Sequence, residues 1–244
     1  MGYPKHIDHL LKDWPYRFGE VIARKVRGSD RRPLLQMRVD MGVLQMETTG
    51  RPDGERPEGF ETYYDYLVSL SFHEGAEFEL SARRCMEIDR EFVQFYHRRI
   101  CWLALKDYHR AAEDADHTLK LMDFSTAHSP DDNWSLMHEQ YRPFVLFHRT
   151  QARALTKLEQ TDPQQAVATI DEGLGQLREI FEEHEAEDEF DESELVIKLR
   201  EMRDSLIKHY ELGPSLAEQL AEAIAKEEYE LAAKLRDRMN SRGH

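Results

Sequence analysis

Two cysteines, no long apolar run and a deficit of positive charge set the first limits on this 244-residue chain. If Cys85 and Cys101 share a helix, they stand roughly 24 Å apart at the helical rise. A disulfide needs Cα atoms within about 7 Å, so both are expected as buried thiols of a reducing compartment. No stretch approaches the roughly eighteen consecutive apolar residues of a membrane span. The opening segment MGYPKHIDHLLKDWPY has no apolar stretch of signal-peptide length. A cytoplasmic location with no membrane contact is therefore expected. Lys and Arg number 33 against 48 Asp and Glu, a formal net charge of −15. Such a surface repels phosphate, which disfavours nucleic acid as a partner. The obvious basic segment is ARKVRGSDRR, residues 23–32.

Motifs that carry chemistry are missing as well. There is no H-E-x-x-H, no C-x-x-C, no G-x-S-x-G and no G-x-x-x-x-G-K-[ST]. His109 and His117 could share a helix face, but two ligands are too few for a metal. His128, Asp131, Asp132 and His138 cluster around a helix start, where capping accounts for the aspartates. Arginines flank Cys101 in RRIC, yet the helical pattern places the thiol in the core. No catalytic residue, metal or cofactor is expected, and the chain reads as a non-enzyme.

What is present is mostly helical pattern. Residues 6–27 read as a helix interrupted at Pro15. Leu35, Met37 and Val39 alternate with polar residues, a two-residue period that favours a strand. Gly42 could turn it into a small hairpin with 43–48. The loop TTGRPDGERPEG closes this N-terminal segment, assigned as 1–59. A helical domain over 60–210 follows, with helices expected at 60–73, 77–105, 108–123, 130–159, 163–184 and 190–210. Ser129 is expected to cap one helix with Pro130 behind it, and Asp162 another with Pro163 behind it. The aromatic-rich FETYYDYLVSLSF, 60–72, is expected to pack on the helical domain. Residues 182–194 hold nine acids and no Lys or Arg, the usual composition of a solvated connector.

Within that domain, residues 95–123 and 144–177 each resemble a tetratricopeptide repeat. The first shows Trp102 and Leu105, a turn at 106–108, then Ala111, Ala115 and Leu119. The second shows Ala152 and Leu155, then Ala166, Ile170 and Leu174. Small residues at this spacing let paired helices approach closely. Arg99 departs from the repeat pattern, which usually has a small residue there. YHRR and FHRT occupy comparable positions in the two units, either lining a groove or making ion pairs on the helix surface. The fold class is thus mainly α, a tetratricopeptide-like helical bundle, with an ordinary bundle as the alternative.

The C-terminus is the most specific stretch. GPSLAE, 213–218, marks a helix start with Ser215 and Glu218 as a capping box. Leu216, Leu220 and Ile224 recur every fourth residue. KEEY, 226–229, then makes a corner, and Tyr229, Ala232, Leu235 and Met239 share the face of a second helix. Alanines on that helix allow a tight hairpin over 213–242. So short a hairpin cannot enclose a core of its own, so part of its apolar surface must meet something else. LAEQLAEAIAKEEYELAAKLRDRM, 216–239, resembles the UVR motif of the UvrB and UvrC excision-repair proteins. Leu220, Ile224, Glu228, Tyr229, Glu230, Ala232, Ala233, Leu235, Arg236 and Asp237 match the motif, with Tyr229 where phenylalanine is usual. Stress proteins of the McsA and ClpC type carry similar motifs. The chain as a whole resembles bacterial UVR-motif proteins with a tetratricopeptide-like middle.

The resemblance implies a protein-interaction module. Its expected contact residues are Leu216, Leu220, Ile224, Tyr229, Ala232, Ala233, Leu235, Arg236 and Asp237. The partner is expected to be a helical protein or another UVR hairpin, a homo-oligomer included. The second reading is a nucleotide-excision-repair accessory acting through UvrB or UvrC.

Overall fold

The computed structural model describes residues 6–214 and 216–242; the side chains of 216–218, 221–222 and 238–242 lie outside the description. After a short helix α1, Asp8–Lys12, come β1, Ile22–Arg27, β2, Pro33–Val39, and β3, Gly42–Glu47. They form an antiparallel sheet in the order β1-β2-β3. Leu35 on β2 opposes Met46 on β3 and Lys25 on β1, and Leu34 beside it is buried as well. Leu35 and Met46 are buried together with Cys101, Trp102, Ala111, Ala112 and Ala152. The expected hairpin at 33–48 is therefore present.

Residues 22–27 are a strand, which corrects the expected helix over 6–27. Pro15 removes a helical donor, and Gly19 sits at φ +79°, where the chain changes direction. Pairing with β2 then satisfies the backbone of β1. Of the basic residues of 23–32, Arg27 and Arg31 are exposed, and the other three are engaged within the protein. Lys25 reaches Asp107 at 2.7 Å, Arg32 approaches Glu47 at 3.4 Å, and Arg24 lies over the Trp14 ring at 4.0 Å.

Five helices follow the sheet: α2, Tyr63–Glu74; α3, Ala82–Ala104; α4, Tyr108–Ala127; α5, Asp132–Glu139; and α6, Arg142–Glu159. On α3, Cys85, Ile88, Phe92, Phe95, Arg99 and Trp102 recur every three or four residues and are buried. Buried Ala111, Ala112 and Ala115 let α4 lie close against α3. Lys106, at φ +58°, turns the chain between them.

The single helix expected over 130–159 is two. Pro143 has no N–H to give the carbonyl of Glu139, so the ladder breaks between α5 and α6. The cap of α5 is Asp131, whose carboxylate accepts from the Asn133 N–H at 3.0 Å. Ser129 precedes it, bonding to the Asp131 backbone instead of capping the helix. Asp162 does cap the next helix, accepting from the Gln165 N–H at 2.9 Å.

The chain divides into two compact units, 1–152 and 153–244. The boundary falls inside α6, and the sheet shares a core with α3 and α4. The second unit contains α7, Pro163–Glu183, and α8, Glu194–His209, which pack together. Between them the acidic run is ordered: Glu187–Glu192 form a 3-10 turn around buried Phe190. The ring of Phe190 meets Phe181 edge-on at 5.6 Å and lies under the guanidinium groups of Arg178, at 4.2 Å, and Arg200, at 5.4 Å. The unit ends in α9, Leu216–Ala225, and α10, Tyr229–Arg242. Among the described residues no helix is long and apolar enough to cross a membrane.

Candidate functional site

The C-terminal hairpin is built around a three-residue turn. Glu227 takes the left-handed conformation at φ +59°. The Glu228 N–H donates to the Ala223 carbonyl at 2.8 Å, and the Glu227 N–H to that of Ile224 at 3.0 Å. These bonds satisfy carbonyls that the end of α9 would otherwise leave open. The Ala232 N–H then donates to the Glu228 carbonyl, and α10 begins. The proposed capping serine, Ser215, lies outside the described residues, as does the side chain of Glu218.

The helices meet along small residues. Ala223, Ala232 and Leu235 are buried, with Leu220 packed against them. This cluster consists wholly of hairpin residues, so the seam is closed by the hairpin itself. The expected contact set therefore divides in two. Leu220, Ala232 and Leu235 form the seam, and they hold the two helices together. Ile224, Tyr229 and Ala233 are exposed, the first two by 55% and 68%. Arg236 and Asp237 are also exposed and pair with each other at 3.1 Å. The side chain of Leu216 lies outside the described residues.

Leu231, absent from the expected set, is 45% exposed and lines the same recess as Tyr229. Its one signal in the sequence is a leucine set inside an acidic corner. Glu227, Glu228, Tyr229, Glu230, Leu231 and Lys234 line a wide-mouthed recess of about 530 Å³ at the tip. The hairpin thus presents an apolar tip edged with carboxylates.

A second group of polar residues lies in the first unit and is buried. The carboxylate of Glu91, on α3, is fully enclosed. It accepts from the N–H groups of Tyr63 and Tyr64 at 2.7 and 3.0 Å, meets His117 Nε2 at 3.0 Å, and stands 3.5 Å from Arg51 Nε. Arg98 grips Asp114 with two guanidinium nitrogens, at 2.7 and 2.9 Å. Its third nitrogen donates to the carbonyls of Gly50 and Glu47, at 2.7 and 3.2 Å. Gly50 is at φ +62°, and a Cβ there would stand 3.2 Å from the Glu61 carbonyl, so this turn favours glycine.

Beside this clamp, Arg99 donates to Thr118 Oγ1 at 3.0 Å and to His148 Nδ1 at 3.3 Å. Burial lowers the Arg99 guanidinium to about 10, against the opposing pull of Asp114. Burial, and then the Arg99 charge, push His148 down to about 3. Arg98, Arg99 and His148, read from sequence as groove or surface residues, are interior groups that tie α3 to α4, to the 47–51 loop and, through His148, to α6. Burial also raises the Cys101 thiol to about 12 and the Cys85 thiol above its ordinary value. Thiols held neutral in this way are poor nucleophiles. Among the described residues no three His, Cys, Asp or Glu side chains converge as a metal site would require.

Residues 214–241 match the family model described as UVR, the UvrB/uvrC motif. The match covers the loop before α9 and almost all of α10, so the hairpin is a UVR motif. Comparison of the chain with curated proteins and with solved structures finds no match.

Proposed function

We propose that this protein is a non-enzymatic, cytoplasmic adaptor that docks a helical partner through the tip of its UVR hairpin. The observation that carries the reading is the division of labour in the hairpin. Its seam is closed by its own residues, while Ile224, Tyr229 and Leu231 stay in solvent. Large apolar side chains grouped at a tip lose little entropy and gain much area when a partner covers them. The inert cysteines agree with a protein that does no covalent chemistry. The tetratricopeptide-like reading of the α3–α4 pair rests on Ala111 and Ala115 and would give the adaptor a rigid body.

The test is in vivo cross-linking with mass spectrometry of the full chain. Ile224→Asp is the suitable variant, because Leu220→Asp would open the seam itself. The partner captured by the wild type is expected to fall at least ~10-fold with Ile224→Asp, the loss of one interfacial hot spot. Met41→Asp, at an exposed turn of the sheet, should leave capture unchanged. Equal capture by Ile224→Asp and wild type rejects the tip as the docking face.

The repair-accessory reading is favoured by the UvrB/uvrC match. It is then a statement about partner identity, with UvrB or UvrC in the place of the captured protein. Contact with DNA is not part of it, since a net charge of −15 repels phosphate.

A further inference from the structure

We infer that the recess beside His117 is a site for a primary ammonium group, with His117 Nδ1 and the Glu113 carboxylate as its acceptors. The site lies in the first unit and is independent of the docking role of the hairpin. The 48–50 turn, the start of α2, and α3 and α4 line about 400 Å³ there. His117 is fixed in the wall. Its ring stacks on Phe95 at 3.7 Å, Tyr64 crosses it at 82°, and Nε2 lies 3.0 Å from the enclosed Glu91 carboxylate. Glu91 already accepts from the backbone N–H groups of Tyr63 and Tyr64, so it is an acceptor toward the ring as well. Nε2 therefore carries the proton of the neutral ring, and Nδ1 keeps a lone pair. Nδ1 has no hydrogen-bond partner among the described residues. The buried atoms left without a partner there are Arg51 Nε, Gln94 Oε1 and Ser125 Oγ. Nδ1 is not one of them, so it opens to solvent through the recess that His117 lines.

The charges along the lining are Glu61, Glu113 and Asp114 against Arg98 and Arg110. Most are engaged. Asp114 is held by Arg98 at 2.7 Å and Glu61 by Arg56 at 2.8 Å. Arg110 lies over the Trp102 ring at 4.9 Å and 3.8 Å from Asp107. Glu113 meets the exposed imidazole of His109 at 3.5 Å, which brings no charge when neutral. Glu113 and His117 stand one turn apart on α4, so they share a face. The recess thus offers a lone pair and an uncompensated carboxylate side by side. Ammonium brings N–H donors, a positive charge and no acceptor, and it suits both. An oxyanion would meet a lone pair and a like charge. A metal ion is poorly served, since no three His, Cys, Asp or Glu side chains converge among the described residues.

The test is NMR of the full chain labelled with nitrogen-15 at histidine, titrated with n-butylammonium chloride above the pH range of imidazole protonation. The His117 signals are those missing from His117→Gln. The ring is expected as the Nε2–H tautomer. Its Nδ1 resonance should move to saturation with a dissociation constant on the order of 1 mM, the scale for so small a ligand. Glu113→Lys changes an exposed side chain and should weaken binding at least ~10-fold, the loss of a charge-assisted contact. Arg110→Gln removes the opposing cation and should tighten it. Nα-acetyl-lysine amide separates the two sources of ammonium. Binding at least as tight as that of n-butylammonium marks the side chain of a protein Lys, and weaker binding marks a free amine; the site stands in both cases. An Nδ1–H tautomer overturns it. So does a His117 ring unmoved by n-butylammonium, a shift of equal size with sodium butyrate, or undiminished binding by Glu113→Lys.

Discussion

Glu91→Ala is expected to destabilise the first unit by about 3–5 kcal/mol, the cost of breaking a buried charge network from one side. The carboxylate is fully enclosed. Its removal leaves two donors at the start of α2 without their acceptor and takes from Arg51 a buried counter-charge. His117 loses its partner in the same step. Glu91→Gln keeps one acceptor oxygen but brings two donors into a site already made of donors, so it should recover only part of the loss. Urea unfolding followed by tryptophan fluorescence is the measurement, because Trp14, Trp102 and Trp134 all lie in residues 1–152. A useful contrast is Lys25→Ala. Its pair with Asp107 leaves the lysine 55% exposed, and such surface pairs contribute about 0–1 kcal/mol. Similar midpoints for Glu91→Ala and Lys25→Ala would show that the Glu91 cluster is not a stabilising centre.

Acid is expected to weaken the same unit well above the range where carboxylates usually titrate. His148 titrates at about 3 in the folded chain, lowered first by burial and then by Arg99, and near 6.5 when unfolded. A base with a depressed folded value must stay neutral to fold. Its contribution is complete above 6.5 and is lost as pH falls toward 3, because there the unfolded chain binds the extra proton. Between pH 6.5 and 4 the loss from this one residue is about 3 kcal/mol. His97 and His138 are also lowered by burial and act in the same direction. His148→Gln supplies a carbonyl acceptor to Arg99 and cannot take up the proton. Urea midpoints measured across this range should therefore fall less steeply for His148→Gln than for wild type. Parallel curves would mean that the His148–Arg99 contact is not held as the structure places it.

Sequence periodicity located the helices because α3, α4 and α7 bury regular faces that nothing interrupts. It placed the β2–β3 hairpin for the same reason, since Leu35 and Met37 alternate with polar neighbours. It failed at β1, where IARKVR fits either period and only pairing with β2 decides the matter. The break between α5 and α6 was legible in Pro143, a proline inside an otherwise continuous pattern. The UVR hairpin was legible as a motif, but the division between its packed seam and its exposed residues was not. Leu220 and Ile224 look alike on a repeat of four. Only the packed seam shows that the first faces Ala223 and Ala232, while the second faces solvent. The buried network was hardest to read, because an arginine has the same identity inside and outside a protein. Its signal was position: Arg99 falls on the stripe of Phe92, Phe95 and Trp102, where a small residue would be usual.

The turn at Glu187–Glu192 separates composition from constraint. Its carboxylates are exposed, and Asp191 meets Arg200 on α8 at 2.6 Å. What fastens the segment is the Phe190 ring between two arginines. Glu187, Asp188, Glu189 and Glu192 have no such role, whereas the ring and the Asp191–Arg200 pair beside it do. A segment that composition marks as a tether is thus a strut, fixed by one aromatic wedge.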